Sequence, residues 1–281
     1  MKDFTPFQIR VEGLAFETLN LMRNKSLEDF LELFIWKLSK EYEKTSNWYF
    51  LALKLKVQEY SVTIKNHKKE DFCFPELFGL LEGKDVIIQG RQKDFTKYLR
   101  KVMLFLESGK PVSKINDITG IRVIYTGKEI YDDAKSIREC YNIMEILIRY
   151  FMSQKGFLVV EAEPLLFTEI LDENFKKEHK IYVPDKEEVL RNFPEEMSSN
   201  IKDYIAYPKK NGYQSIHTIL ESVITHWKLE IQVRSKWMHE RAENGNADHS
   251  VHNIERYGDD WSHFFENDGG GIAGLNKSIT F

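Results

Sequence analysis

An α+β fold is what this sequence predicts, on three observations. Helical periodicity fills residues 13 to 60, strand-like runs begin only at about residue 84, and the last two of those runs follow one another with a short turn between them. A helical N-terminal part followed by a strand-bearing part that still contains helices is compatible with helices laid against a sheet.

Within the first helical stretch, Ser26 and Asp29 form a capping box, and Leu27, Phe30, Leu31, Phe34 and Leu38 recur at helical spacing behind it. NHKKED at 66 to 71 reads as a solvated loop closing an N-terminal helical extension, taken as residues 1–83. DVIIQ at 85 to 89 is a short apolar run that ends at Gly90, as a buried strand feeding a turn would, and 91 to 107 is helical in propensity. ITGIRVIYT at 118 to 126 is a β-branched strand, and Ile137, Cys140, Tyr141, Met144, Leu147, Ile148 and Phe151 mark an amphipathic helix after it. FLVVEA at 157 to 162 is a third strand. Residues 163–200 are charged, poorly periodic and broken by Pro184 and Pro194, so they read as a mobile insertion. HTILES (217 to 222) and WKLEIQVRS (227 to 235) alternate as sheet strands, KWMHERAE (236 to 243) follows as a helix, and in a C-terminal tail drawn as 256–281 the part from 265, with its Gly269–Gly271 run, reads as disordered.

Bulk composition excludes more than it assigns. The chain has 281 residues, 42% apolar and 30% charged, enough for a sizeable core, and its net charge of −4 argues against a general polyanion binder. Cys73 and Cys140 lack any metal or disulfide spacing, which fits a reducing compartment, and neither a leader-like apolar segment nor an 18-residue apolar run occurs, so a cytoplasmic protein without a membrane span is expected.

Four clusters carry chemistry, each weak alone. GRQKDFTKYLRK (90 to 101) sets Arg91, Lys93, Lys97, Arg100 and Lys101 at a strand-turn-helix mouth, where cations and helix amides together suit phosphate, although a solvated helix face has the same composition. Asp117 stands directly before a strand, where a carboxylate can be held for Mg²⁺ or simply form a turn. KDYIAYPKKNGYQSIH (202 to 217) combines Lys202, Lys209 and Lys210 with Tyr213, a ring that can stack on a base or belong to a plain hairpin. Glu230 is a carboxylate inside an apolar strand, with Gln232 and Arg234 on its face of the pleat.

In this order the clusters resemble the synthetase domain of the RelA/SpoT family: Gly90, Arg91, Lys93 and Lys101; DITGIRV (117 to 123); KDYIAYPKKNGYQSIH; and EIQVRSKWMHERAENG (230 to 245). The resemblance covers roughly 84 to 250, and a synthetase domain of 84–255 is drawn from it. It implies a mixed β-sheet flanked by helices, related to nucleotidyltransferases, and transfer of the β,γ-diphosphate of ATP to the 3′-hydroxyl of GTP or GDP. Arg91 would stack on the adenine, Lys93 and Lys101 would neutralise the triphosphate, and Asp117 would hold Mg²⁺. Glu230 would share the metal or take the hydroxyl proton. Tyr213 would stack on the guanine with Lys202, Lys209 and His217 near its phosphates, and Gln232 and Arg234 join the nucleotide-binding set. Such chemistry needs in-line positioning, a metal and cations more than covalent help.

Departures from the family pattern accompany the match. Lys97 and Tyr98 stand where long members commonly have Ser and Ile, and Ala247, Asp248, His249 and Ser250 replace the usual AAHW. No His-Asp dipeptide of a hydrolase half occurs, so a small synthesis-only member is expected. HERAE lacks the second His of a zinc helix. Two alternatives stay open: a toxic relative that modifies the 3′ end of tRNA, which Lys97, Lys176, Lys177 and Lys180 would suit, and an inactive nucleotide-binding regulator. An antitoxin partner or a homo-oligomer is compatible with any of these.

Overall fold

Capping side chains start the first helices. In a computed structural model that describes residues 5–22, 25–69, 74–127, 134–160, 173–178, 181–184 and 201–244, Thr5 and Gln8 form a capping box on α1 (Pro6–Leu21). Ser26 and Asp29 form the expected one on α2 (Leu27–Thr45), with Ser26 Oγ accepting from Asp29 N–H and Asp29 Oδ2 from Ser26 N–H, both at 3.1 Å. The helical part begins earlier than residue 13, because Pro at the first helical position and the Thr5 cap form a start signal that apolar spacing alone does not show. It also ends later: α3 (Trp48–Lys69) runs through 66 to 69, which corrects the loop expected there, while residues 70–73 lie outside the described residues.

Among the described residues the chain divides into two compact units that cut across the expected boundary at residue 84. One holds the residues up to 69 together with Gln92–Ile118; the other holds 74 to 91 and 119 to 244. In the first, α5 (Phe95–Glu107) turns its buried stripe of Phe95, Leu99, Val102 and Leu106 into the core of α1, α2 and α3. Phe95 meets Phe30, Phe34 and Tyr60 edge-on at centroid distances of 5.6, 6.0 and 5.2 Å. Tyr98, one of the departures from the family pattern, is fully buried and donates to Lys56 C=O at 3.0 Å, so its substitution belongs to this core.

The second unit is built on a six-stranded mixed sheet, ordered β1-β2-β6-β5-β3, with β4 also paired to β5. The strands are β1 (Val86–Gln92), β2 (Thr119–Tyr125), β3 (Phe157–Val159), β4 (Lys202–Asp203), β5 (Ile216–Ser222) and β6 (Lys228–Ser235). β2 runs parallel to β6, and β5 runs antiparallel to β6, β3 and β4. α6 (Ala134–Gln154) covers β2, β3, β5 and β6 with the predicted stripe Ile137, Cys140, Met144, Leu147 and Phe151, all buried. α4 (Phe74–Leu80) precedes β1, and α8 (Lys236–Asn244) follows β6 directly and packs on β6 and β2. The mixed sheet flanked by helices is therefore as expected.

Three local expectations change. β1 does not stop at Gly90 but continues to Gln92, so Arg91 is a strand residue and the helix begins only at Phe95. Inside 163–200 the described pieces are a short helix α7 (Glu173–Glu178) and residues 181–184; the rest of that insertion, Lys180, residues 247–250 and the 256–281 tail lie outside the described residues. Among the described residues no helix is long and apolar enough to cross a membrane.

Candidate active site

In the unit of the N-terminal helices, Asp117 lies just ahead of β2 with a lysine on each carboxylate oxygen. Lys93 Nζ donates to Oδ2 and Lys101 Nζ to Oδ1, the latter at 2.9 Å. Local folding sets both cations: Tyr60 O–H donates to Lys93 C=O at 2.7 Å, and Lys101 projects from the second turn of α5. Burial opposes charge on Asp117, but the two ammonium groups outweigh it and hold the carboxyl well below the usual carboxylate range. The helix amides expected to greet phosphate are occupied, because Asp94 caps α5 and its Oδ1 accepts from Thr96 N–H at 2.9 Å and Lys97 N–H at 3.1 Å. Asp94 was legible as an N-cap and was missed.

In the sheet unit, Glu230 sits on β6 with a side chain only 10% exposed. Its Oε2 accepts from Arg91 Nη1 at 2.6 Å and from Gln232 Nε2 at 2.9 Å, and its Oε1 lies 3.3 Å from His217 Nδ1. The pleat explains the grouping. Glu230, Gln232 and Arg234 share one face, and the register sets Gly120 beside Glu230, Arg122 beside Gln232, and His217 on the other side of Gln232. Gly120 is required there, since a Cβ on it would stand 2.7 Å from the Glu230 carbonyl oxygen.

Arg234 is 1% exposed and reaches α8, donating from Nη2 to His239 Nδ1 at 2.6 Å and to Glu243 Oε1 at 2.8 Å. Arg122 also meets Glu243 Oε1, at 3.1 Å. Burial and the neighbouring Arg234 bring the Arg122 guanidinium down to about 10, and burial with the same two arginines brings His239 down to about 4. Arg91, Arg122 and Arg234 thus concentrate positive charge on one sheet face in an acidic chain, a setting that suits phosphate oxygens. Arg122 and Glu243 were not singled out from sequence, and His239 was weighed there only as a zinc-helix residue, although Arg122 carries the same signal as Glu230, a charge within a β-branched run.

The loop from 203 to 215 is anchored by a buried carboxylate that sequence reasoning also passed over. Asp203 accepts from Ile205 N–H and Ala206 N–H, each at 2.9 Å, and from Tyr141 O–H of α6 at 2.6 Å, while burial raises its carboxyl pKa. Gly212, at φ +79°, closes the turn back to Lys209 C=O at 2.8 Å, a backbone shape that favours glycine. Tyr213 is buried, 4% exposed, and Lys209 Nζ lies 4.7 Å from its ring centroid and 4.6 Å from that of Tyr204. Lys202 pairs across from His217 in β4 and β5.

Against known proteins, residues 175–255 match the model described as the region found in RelA / SpoT proteins. The chain carries a RelA/SpoT region. Over 200 residues it is 24% identical to the probable chloroplastic GTP diphosphokinase CRSH of Arabidopsis thaliana, covering 70% of this chain and 26% of that protein. Over 242 residues it is 25% identical to the guanosine-3′,5′-bis(diphosphate) 3′-pyrophosphohydrolase of Spiroplasma citri, covering 85% of this chain and 21% of that protein. The chain thus spans about a quarter of the length of these curated relatives. Among solved structures, the small alarmone synthetase 1 of Bacillus subtilis matches at 18% identity and a TM-score of 0.38, over 72% of this chain and 79% of that one.

The RelA/SpoT region contains Lys202, Lys209, Tyr213, His217, Glu230, Gln232 and Arg234, while Arg91, Lys93, Lys101 and Asp117 precede it. Asp117 fits the magnesium that the family resemblance implies. It is a hard, ionised oxygen donor whose oxygens each accept one ammonium and have a second lone pair, and magnesium is ordinarily held by one or two carboxylates plus substrate phosphates. Glu230 fits that ion less well, because Arg91, Gln232 and His217 already surround its carboxylate. Among the described residues no group of three or more His, Cys, Asp or Glu forms a ready-made metal cage.

Proposed function

We propose that this chain is a pyrophosphokinase that moves the β,γ-diphosphate of ATP to the ribose 3′-hydroxyl of GTP or GDP, giving (p)ppGpp and AMP. The observation that carries this reading is Glu230, a buried carboxylate within the RelA/SpoT region, ringed by Arg91, Gln232 and His217 beside Arg122 and Arg234. Relatives named GTP diphosphokinase support the same class.

Glu230 accepts the 3′-hydroxyl proton; the freed oxygen attacks the β-phosphorus, and the bond from that phosphorus to the α,β-bridging oxygen breaks, with AMP as the leaving group. Arg91 serves the donor, stacking on adenine after it leaves Glu230. Lys93 and Lys101 neutralise donor phosphates, which compete with Asp117 for the two ammonium groups. Magnesium held by Asp117 would supply further neutralisation of phosphate charge. Tyr213 receives the guanine, with Lys202 and Lys209 beside the acceptor phosphates, and Gln232 and Arg234 hold the carboxylate and the sheet face in place.

Purified protein with Mg²⁺ and γ-labelled ATP, offered GDP, GTP, ATP or deacylated tRNA, tests the reading. Label passes to GDP or GTP, and Glu230→Gln lowers its rate by about 10²- to 10⁴-fold, the usual worth of a positioned proton acceptor. Label on tRNA alone assigns the acceptor to the tRNA 3′ end, and no transfer to any acceptor refutes the pyrophosphokinase reading.

A further inference from the structure

The family resemblance implies His217 near the acceptor's phosphates, yet both of its ring nitrogens face protein groups. Nε2 lies 2.9 Å from Tyr213 Oη, and Nδ1 lies 3.3 Å from Glu230 Oε1. The ring is held edge-on by two tyrosines, with centroids 5.2 Å from Tyr204 at 77° and 5.9 Å from Tyr213 at 88°. Its side chain is 11% exposed, and its strand is paired on both sides, with Lys202 of β4 and Gln232 of β6 directly opposite.

For a neutral imidazole beside an ionised carboxylate, hydrogen-bond chemistry leaves one arrangement of these three groups. An ionised carboxylate only accepts, so Nδ1 carries the imidazole proton toward Glu230; Nε2 is then the acceptor, and Tyr213 O–H donates to it. Burial keeps the imidazole neutral by lowering its pKa, against the pull of Glu230. A phosphate contact would need an N–H directed outward, and neither nitrogen supplies one.

We propose that His217 is a positioning residue that couples the guanine platform, Tyr213, to the proton-accepting carboxylate, Glu230, through Tyr213 O–H···Nε2 and Nδ1–H···Oε1. The inference rests on the roles given to Tyr213 and Glu230 above; the geometry itself does not. Seating of the acceptor base on Tyr213 is thereby transmitted to the aim of the carboxylate 13 positions further along the chain, and misalignment costs rate rather than phosphate affinity.

Two measurements on the full chain test it. Ring ¹⁵N spectra of His217, assigned by comparison with His217→Asn, need no activity: the Nδ1–H tautomer is expected, with the Nε2 signal moving in Tyr213→Phe. An Nε2–H tautomer, or an Nε2 signal indifferent to Tyr213→Phe, overturns the proposal. In steady-state assays at saturating ATP, His217→Leu lowers kcat by about 10²-fold, the cost of a small misplacement, and by the same factor with GTP, GDP and GMP as acceptors. His217→Asn, which retains a donor near the Nδ1 position, recovers part of that loss, and each variant's fold is checked by its melting temperature. A KM increase that grows with the number of acceptor phosphates identifies His217 as a phosphate ligand and overturns the proposal. A wild-type chain inactive on every guanine nucleotide removes the proposed reaction, while the tautomer result still decides the geometry.

Discussion

Single side chains in the sheet unit are set by charges they could not have been paired with in advance. His239 is an example with a thermodynamic consequence. Burial and the adjacent Arg234 and Arg122 keep its folded-state pKa at about 4, below the roughly 6.5 of an unfolded chain. As pH falls through the window between these values the unfolded state takes up the proton first, so stability declines there, and it is unaffected by this residue above the window. His239→Gln is expected to flatten that part of the melting temperature against pH profile, measured by calorimetry from pH 8 to pH 4. An unchanged slope would show that the imidazole is not shielded by the arginines. Asp117 has the opposite origin for a similar trend: its ion pairs contribute stability above the ordinary carboxylate range and lose it only in stronger acid.

Elements carry the site through register rather than through any one residue's reach. The parallel pairing of β2 with β6 places Gly120 against the Glu230 backbone, and the antiparallel pairing of β5 with β6 delivers His217 to the same carboxylate. Gly120→Ala would set a methyl 2.7 Å from the Glu230 carbonyl oxygen, which a backbone atom in a central strand cannot readily avoid. The expected cost is about 1–3 kcal/mol, as for other overpacked interiors, together with a loss of transfer rate, because β6 must shift where it holds Glu230. Urea unfolding and the acceptor assay on the same variant check both; full activity at wild-type stability would contradict the close approach. At this scale the sequence was partly legible. Strand and helix identities in the sheet unit followed from apolar period, and their limits did not: β1 runs on through Arg91, since Gly90 is tolerated within a strand, and two-residue β4 has no periodicity to detect. The Asp94 cap shows the same limit from the other side, a local signal obscured by the cations around it.

For the whole molecule, the described residues form two units whose cores are separately accountable. Phe34 is fully buried, stacked on Phe30 at 5.7 Å and edge-on to Phe95, so Phe34→Ala is expected to destabilise the helical unit by about 3–5 kcal/mol through lost transfer energy and a cavity. Denaturant melts followed by far-ultraviolet circular dichroism measure it, and a cost below about 1 kcal/mol would mean that α2 does not hold this core. The first unit is discontinuous, because Gln92–Ile118 joins helices that end before residue 70, and no linear boundary such as 83/84 can express that.

The sequence by itself determined which segments are amphipathic, which charged and aromatic residues stand in the motifs, and the resemblance that orders them, because apolar period, caps and motif spacing are local properties. It could not determine partners. Glu230 meets Arg91 across 139 positions and Asp117 meets Lys101 across 16, while the amides expected to bind phosphate belong to Asp94 and the imidazole expected beside phosphate lies between Tyr213 and Glu230. Those pairings depend on strand register and on which charges share a buried space. Only the tertiary structure decides them, since the energy of a charge or a hydrogen bond is set by what it meets after desolvation and not by its neighbours in the chain.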